Sequence, residues 1–168
     1  MNTLILDDKV YFVRRCGLIP FCVTNDNQIK ILLGLKSNCG KYYSDFGGGI
    51  KAKETYTDGL IREVFEESET LLFSDVDSIL NALPRSGMVM YKTKDETSDS
   101  IYIEYLVEIT YSNDYITRFL DHNIKEHVEV RWFNIIDEQL IGLDIKKELD
   151  GSLKPTIDAI LSLLKVYH

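Results

Sequence analysis

An α/β fold, a mixed sheet flanked by helices, is the class this sequence predicts, and three observations predict it. Short runs rich in β-branched and aromatic residues recur along the 168 residues. An amphipathic helix interrupts them after two such runs, and another amphipathic segment closes the chain. At this length a single domain over residues 1–168 is expected, with enough chain to bury a substantial core.

Residues 10–24 are apolar and β-rich but punctuated by Gly17 and Pro20, which predicts a strand with a break or two short strands. The turn residues Asn25, Asp26 and Asn27 then lead into a second strand over 29–35, giving a hairpin. A polar loop, 36–44, delivers the chain to Gly47, Gly48 and Gly49, which as a glycine turn would let a ligand approach the main chain. Thr55, with Asp58 three residues on, is the expected N-cap of a helix starting near Tyr56. Leu60, Ile61, Val64 and Leu71 form its apolar stripe, and Gly59 inside it implies a close packing contact. Beyond the helix, a short helical turn is expected before Pro84. Strands over 88–93 and 101–111 form a second hairpin, with Tyr102, Glu104 and Leu106 sharing a face. Residues 113–120 read as helical, 128–133 as a strand, and 156–167 as the last helix behind Pro155.

Composition narrows the function. With 27 acidic against 19 basic residues and a net charge of −8, the chain does not suit a general nucleic-acid binder, which needs a basic face to displace counterions. Cys16, Cys22 and Cys39 lack the spacing of a zinc or redox site, so free thiols and a reducing, cytoplasmic setting are expected. The N-terminus lacks the apolar run of a secretory signal, and no segment reaches the length of a membrane span.

The chemistry is concentrated in residues 44–67. Glu63, Glu66 and Glu67 stand at i, i+3 and i+4, so their carboxylates emerge within one helical turn. Their mutual repulsion, roughly 0.2–0.5 kcal/mol per exposed pair, would be relieved by a cation. A solvated acidic face is the bland alternative. Against it, the acids follow a glycine cluster, Arg62 is interleaved, and Glu54 sits just ahead of the helix. That donor set suits a hard cation such as Mg²⁺.

These residues resemble a known pattern. Gly48, five residues to Glu54, and seven to Arg62-Glu63-Val64-Phe65-Glu66-Glu67 are similar to the Nudix box, G-x5-E-x7-R-E-U-x-E-E-x-G-U. The resemblance implies an α/β/α sandwich with a central mixed sheet. It also implies a pyrophosphohydrolase that cleaves a nucleoside diphosphate derivative with Mg²⁺ or Mn²⁺. Glu63, Glu66, Glu67 and a carbonyl near Gly48 would hold the metal, and Arg62 would orient a box glutamate. Glu63 is the first candidate for general base, and Glu126 is a candidate outside the box. Gly47 and Gly48 would contact substrate; Lys36 is either a phosphate contact or an exposed lysine, and Tyr42, Tyr43 and Phe46 either stack on a base or pack the loop. His122 and His127 have no partner that the sequence reveals and read as surface or core residues. Two alternatives stand beside this reading: a hydrolase of capped RNA, which the acidic balance disfavours, and a non-catalytic Nudix-like nucleotide-binding or interaction module. The second is motivated by Glu69 and Thr70, which replace the pattern's glycine and apolar residue. Because glutamate resists positive φ, the helix is expected to continue through Leu71 or Leu72. Lys53 likewise stands where many such sequences carry glycine.

Overall fold

The computed structural model describes residues 2–36, 43–92, 99–122 and 127–134. Among them, eight strands make one mixed sheet: β1 Thr3–Leu6, β2 Lys9–Val23, β3 Ile29–Lys36, β4 Tyr43–Ser44, β5 Phe46–Gly49, β6 Gly87–Lys92, β7 Ser100–Glu108 and β8 His127–Asn134. The helices are α1 Tyr56–Ser68, α2 Val76–Ala82 and α3 Asp114–His122, with a 3-10 turn at Leu83–Arg85. The final helix expected over 156–167 lies outside the described residues.

The architecture turns on β2. It pairs in parallel with β7 along one edge, from Phe12 opposite Ser100 to Phe21 opposite Glu108. Residues 15–18 also pair antiparallel with β5, and 21–23 with β3, so these two strands share the other edge. The expected break within 10–24 does not occur; the sole irregularity opposite β7 is a register shift between Val13 and Arg15. Pro20 falls where the second edge passes from β5 to β3, with no ladder partner registered opposite it there. Its missing N–H therefore costs that edge nothing. Both expected hairpins form, β2 with β3 and β6 with β7. The segment at β1 is one the sequence pattern does not single out.

Two further expectations are corrected. Residues 46–49 form a strand instead of a glycine turn. Its backbone comes so close to β2 that a Cβ on Gly47 would collide with Gly17 Cα and the Cys16 carbonyl, so glycine serves here to allow sheet contact. The second correction concerns the end of α1. The helix stops at Ser68, and Glu69 adopts φ 50°, ψ −126° while its N–H still bonds the Phe65 carbonyl. A glutamate held in so sparsely populated a region costs on the order of 1–3 kcal/mol. The reversal, however, buries Leu71, Leu72 and Phe73, and each large apolar side chain removed from water contributes about 1.5–3 kcal/mol. Packing outweighs backbone preference.

The core lies between α1 and one face of the sheet. Leu60 and Val64 of the helix pack in one cluster with Cys16, Leu18, Phe46, Ile101 and Ile103, all buried. Gly59 is the expected close contact, since a Cβ there would stand 2.5 Å from Ile50 Cδ1.

Candidate functional site

Local rules place the box carboxylates. Thr55 caps α1 through a reciprocal pair: the Asp58 N–H donates to Thr55 Oγ1 at 3.1 Å, and the Thr55 N–H to Asp58 Oδ2 at 3.4 Å. From that start the glutamates reach three environments: Glu67 buried, Glu63 only 12% exposed and Glu66 42% exposed.

Arg62 ties the outer part of the site together. Its Nε donates to Glu54 Oε1 at 2.6 Å, Nη1 to Glu63 Oε1 at 2.5 Å and to Glu66 Oε2 at 2.9 Å, and Nη2 to the Gly49 carbonyl at 2.9 Å. These contacts, Glu54 first, hold the guanidinium pKa raised. In turn Arg62, with the Lys51 N–H, pulls Glu54 down to about 2. The helix is thereby fastened to the glycine strand and to the segment between them. Lys53 in that segment takes φ 73°, so both positions where glycine is replaced keep a glycine-type backbone.

Glu67 is held differently. Its Oε2 accepts the Gly47 N–H at 2.6 Å, and its Oε1 lies 3.7 Å from His127 Nε2, which is itself 3.3 Å from Ser44 Oγ. His127 is fully buried, edge-on to Phe46 and seated over Gly34, where any Cβ would run into the imidazole. His127 thus joins the box from β8, far away in sequence. Gly48 adjoins Glu63, whose carboxyl fills the space a Cβ would need.

The structure leaves other sequence candidates outside this group. Phe46 is completely buried between Phe119 and His127, so of its two expected roles it takes packing, and the substrate-stacking role is corrected. Tyr43 is also buried and donates its hydroxyl to Glu129. His122 is exposed, against the Arg118 carbonyl. Glu126, Tyr42 and the Lys36 side chain lie outside the described residues. A cavity of about 1020 Å³ lined by Cys22, Lys30, Arg85 and Tyr111 shares no residue with the box.

One cluster was not anticipated. Arg15 Nη2 donates to Asp45 Oδ1 at 2.7 Å and to the Gly47 carbonyl at 3.0 Å, while Nη1 donates to Asp45 Oδ2 and to Glu104 Oε1, the latter at 3.0 Å. Asp45 is 2% exposed and Glu104 0%. Burial works against the Arg15 charge, but Asp45 and then Glu104 keep its pKa raised. Burial, followed by the neighbouring Asp45, pushes Glu104 well above the ordinary carboxyl value, against the pull of Arg15. The sequence placed Glu104 on a half-buried strand; the structure sets it opposite Gly17, whose missing side chain leaves room for both acids.

Among the described residues, no three His, Cys, Asp or Glu side chains are gathered into a ready cation site. The donors nonetheless suit a hard divalent ion: oxygen ligands from one helical turn beside a glycine main chain, with two of the three carboxylates turned toward Arg62.

No family model matches the chain, and no curated protein does. Solved structures match throughout its length. A Nudix hydrolase from M. smegmatis, RenU, superposes with TM-score 0.53 at 12% identity over 98% of this chain and 96% of its own. A C. elegans Ap4A hydrolase gives TM-score 0.52 at 14% identity, over 90% and 96%. A bifunctional NMN adenylyltransferase/ADP ribose pyrophosphatase from Francisella tularensis, complexed with AMP and a Mn ion, gives 0.55 at 15% over 89% of this chain and 42% of that one. The fold is therefore that of the Nudix hydrolases, an α/β fold with a central mixed sheet. The box-like residues lie on its α1 and on the glycine strand beside it.

Proposed function

We propose that this chain is a divalent-cation-dependent phosphoanhydride hydrolase of the Nudix type, acting on a nucleoside diphosphate derivative. The observation that carries the reading is the placement, on a Nudix fold, of Glu63, Glu66 and Glu67 on one turn of α1 beside Gly48, with Arg62 tethering that turn to Glu54 and Gly49. The residues from Gly48 to Glu67 that resemble the box lie together on the glycine strand, the segment after it and α1, which supports the reading. The AMP and Mn ion of the Francisella structure are consistent with this class of ligand.

Glu63, Glu66, Glu67 and the Gly48 carbonyl would hold Mg²⁺ or Mn²⁺, which when bound neutralises the pyrophosphate and polarises the bond to be cut. The protein's own contribution is positional. Glu67 is fixed through Oε2 by the Gly47 N–H, and its Oε1 lies on the side of His127. Glu63 lies at the glycine strand and takes the role of general base, accepting the proton of the attacking water. Arg62 bonds both Glu63 and Glu66 but also the fixed partners Glu54 and Gly49, so it can release the first two and still hold the helix.

The test is hydrolysis, followed by chromatographic separation of the products, of a panel of nucleoside triphosphates, dinucleoside polyphosphates, nucleotide sugars, diphosphoinositol phosphates and capped RNA with Mg²⁺ or Mn²⁺. Glu67→Gln is expected to lower turnover of the substrate found by at least about 100-fold, close to 3 kcal/mol of barrier, with the fold intact. Wild-type turnover in that variant would overturn the assignment. Folded wild-type protein inactive on the whole panel would favour a non-catalytic nucleotide-binding module.

A further inference from the structure

The buried Arg15 cluster lies on the side of the sheet away from the helix. Successive residues of a strand face opposite ways. Cys16 and Leu18 of β2 point into the core with Leu60 and Val64 of α1. The direction a Gly17 side chain would take leads instead to Asp45 and Glu104. Between the two faces stands β5, and Gly47 touches both groups: its N–H bonds Glu67 at 2.6 Å and its carbonyl accepts Arg15 Nη2 at 3.0 Å. Gly47 cannot drift sideways, because it is packed directly on the Gly17 and Cys16 main chain.

We propose that Arg15, Asp45 and Glu104 are positioning residues for the glutamate site, fixing Glu67 from across the sheet through the main chain of Gly47. Asp45 meets Arg15 with both oxygens, which fixes the plane of the guanidinium, and Glu104 adds a bond to the same Nη1 that Asp45 uses. The Tyr102 ring centroid lies 5.2 Å from the Arg15 guanidinium carbon, a further contact that holds it. With the fork immobile, the Nη2 bond sets the height of the Gly47 carbonyl, and the strand passes that setting to its N–H. Glu104 acts here as a neutral acid: with one positive charge and one Asp45 carboxylate already paired, a second buried negative charge would have no counterpart. It accepts from Arg15 through Oε1 and would donate its proton toward Asp45 from the buried Oε2. An amide can do both, accepting through its carbonyl and donating through its NH₂.

The inference rests on the role given to Glu67 above, and its test separates the two. In full-length ¹⁵N-labelled protein, the Gly47 amide proton is expected far downfield, as a charge-assisted bond to a carboxylate requires, and Glu67→Gln should identify it by moving it upfield. Glu104→Ala and Arg15→Met, in folded protein, are expected to produce the same upfield movement although neither residue touches Glu67. Glu104→Gln is expected to restore the amide toward its wild-type position. In turnover, the Ala and Met variants should lose roughly 10- to 100-fold in kcat with KM within about twofold, the pattern of a misplaced catalytic group, and the Gln variant should recover most of kcat. An unmoved Gly47 amide in folded Glu104→Ala would overturn the proposal, as would Glu104→Gln behaving like Glu104→Ala. Should Arg15→Met not fold, the Glu104 pair still decides. If no substrate is turned over, the functional reading fails while the amide shifts still decide the positioning role.

Discussion

Two arginines flank the glycine strand, and they hold their carboxylates on different terms. Arg62 bonds three glutamates, one of them 42% exposed, at the rim where water and ions compete for every contact. Arg15, itself mostly buried, bonds two acids that are 2% and 0% exposed. The first is a set of charges that a ligand can redistribute. The second must remain paired whenever the protein is folded, because a buried charge stripped of its partner costs several kcal/mol. The difference suits the division of labour proposed here, in which the rim reorganises around a cation while the interior supplies a fixed reference for Glu67.

The largest effect that would sharpen this contrast is on stability. The double variant Asp45→Asn/Glu104→Gln leaves Arg15 charged, buried and without a carboxylate, and should lose about 3–5 kcal/mol in urea unfolding. Arg62→Ala, by comparison, should move the urea midpoint far less, since its partners can return to solvent. Equal losses would erase the distinction.

A second difference is in pH dependence. Folding raises the Glu104 pKa well above 4.5, chiefly by burial. Above 4.5 the unfolded chain has lost a proton that the native state keeps, so stability falls as pH rises toward the folded value. Glu104→Gln cannot titrate and should flatten that decline, so its stability relative to wild type, read from urea midpoints, rises as pH is raised above 4.5. At the rim the sign reverses. Glu54, drawn down to about 2 by Arg62, contributes stability that is present above its ordinary value of 4.5 and lost as pH falls toward 2. Arg62→Ala should reduce that acid-side slope, leaving the part due to the Lys51 N–H.

The smallest expected effect lies at the strained backbone positions. Glu69→Gly should stabilise by up to about 1 kcal/mol, strain relief being partly offset by the added freedom of glycine in the unfolded chain. Glu69→Ala keeps a Cβ and should gain nothing. Differential scanning calorimetry resolves the pair.

The sequence revealed the site's helix better than its surroundings. Thr55, Asp58 and the spacing of Glu63, Glu66 and Glu67 act within one or two turns, and their consequences are local; both the cap and the Arg62 pairing follow from them. His127 and Glu104 reach the same neighbourhood through β8 and β7, by strand register that no local pattern encodes. The glycine cluster was misread for a related reason. Gly47 is needed because β2 passes behind it, and that neighbour lies 30 residues earlier in the chain. Glu69 shows the opposite failure: the residue argued for continued helix, and three buried apolar side chains beyond it decided otherwise.

The backbone at Glu69 also bears on how this protein would respond to selection. Glutamate and glycine codons differ by one base, so the stabilising exchange at Glu69 is reachable in a single mutational step, whereas Lys53 with φ 73° stands two bases from glycine. A randomly mutagenised library screened for heat resistance should therefore return Glu69→Gly early and Lys53→Gly seldom, even if both relieve similar strain.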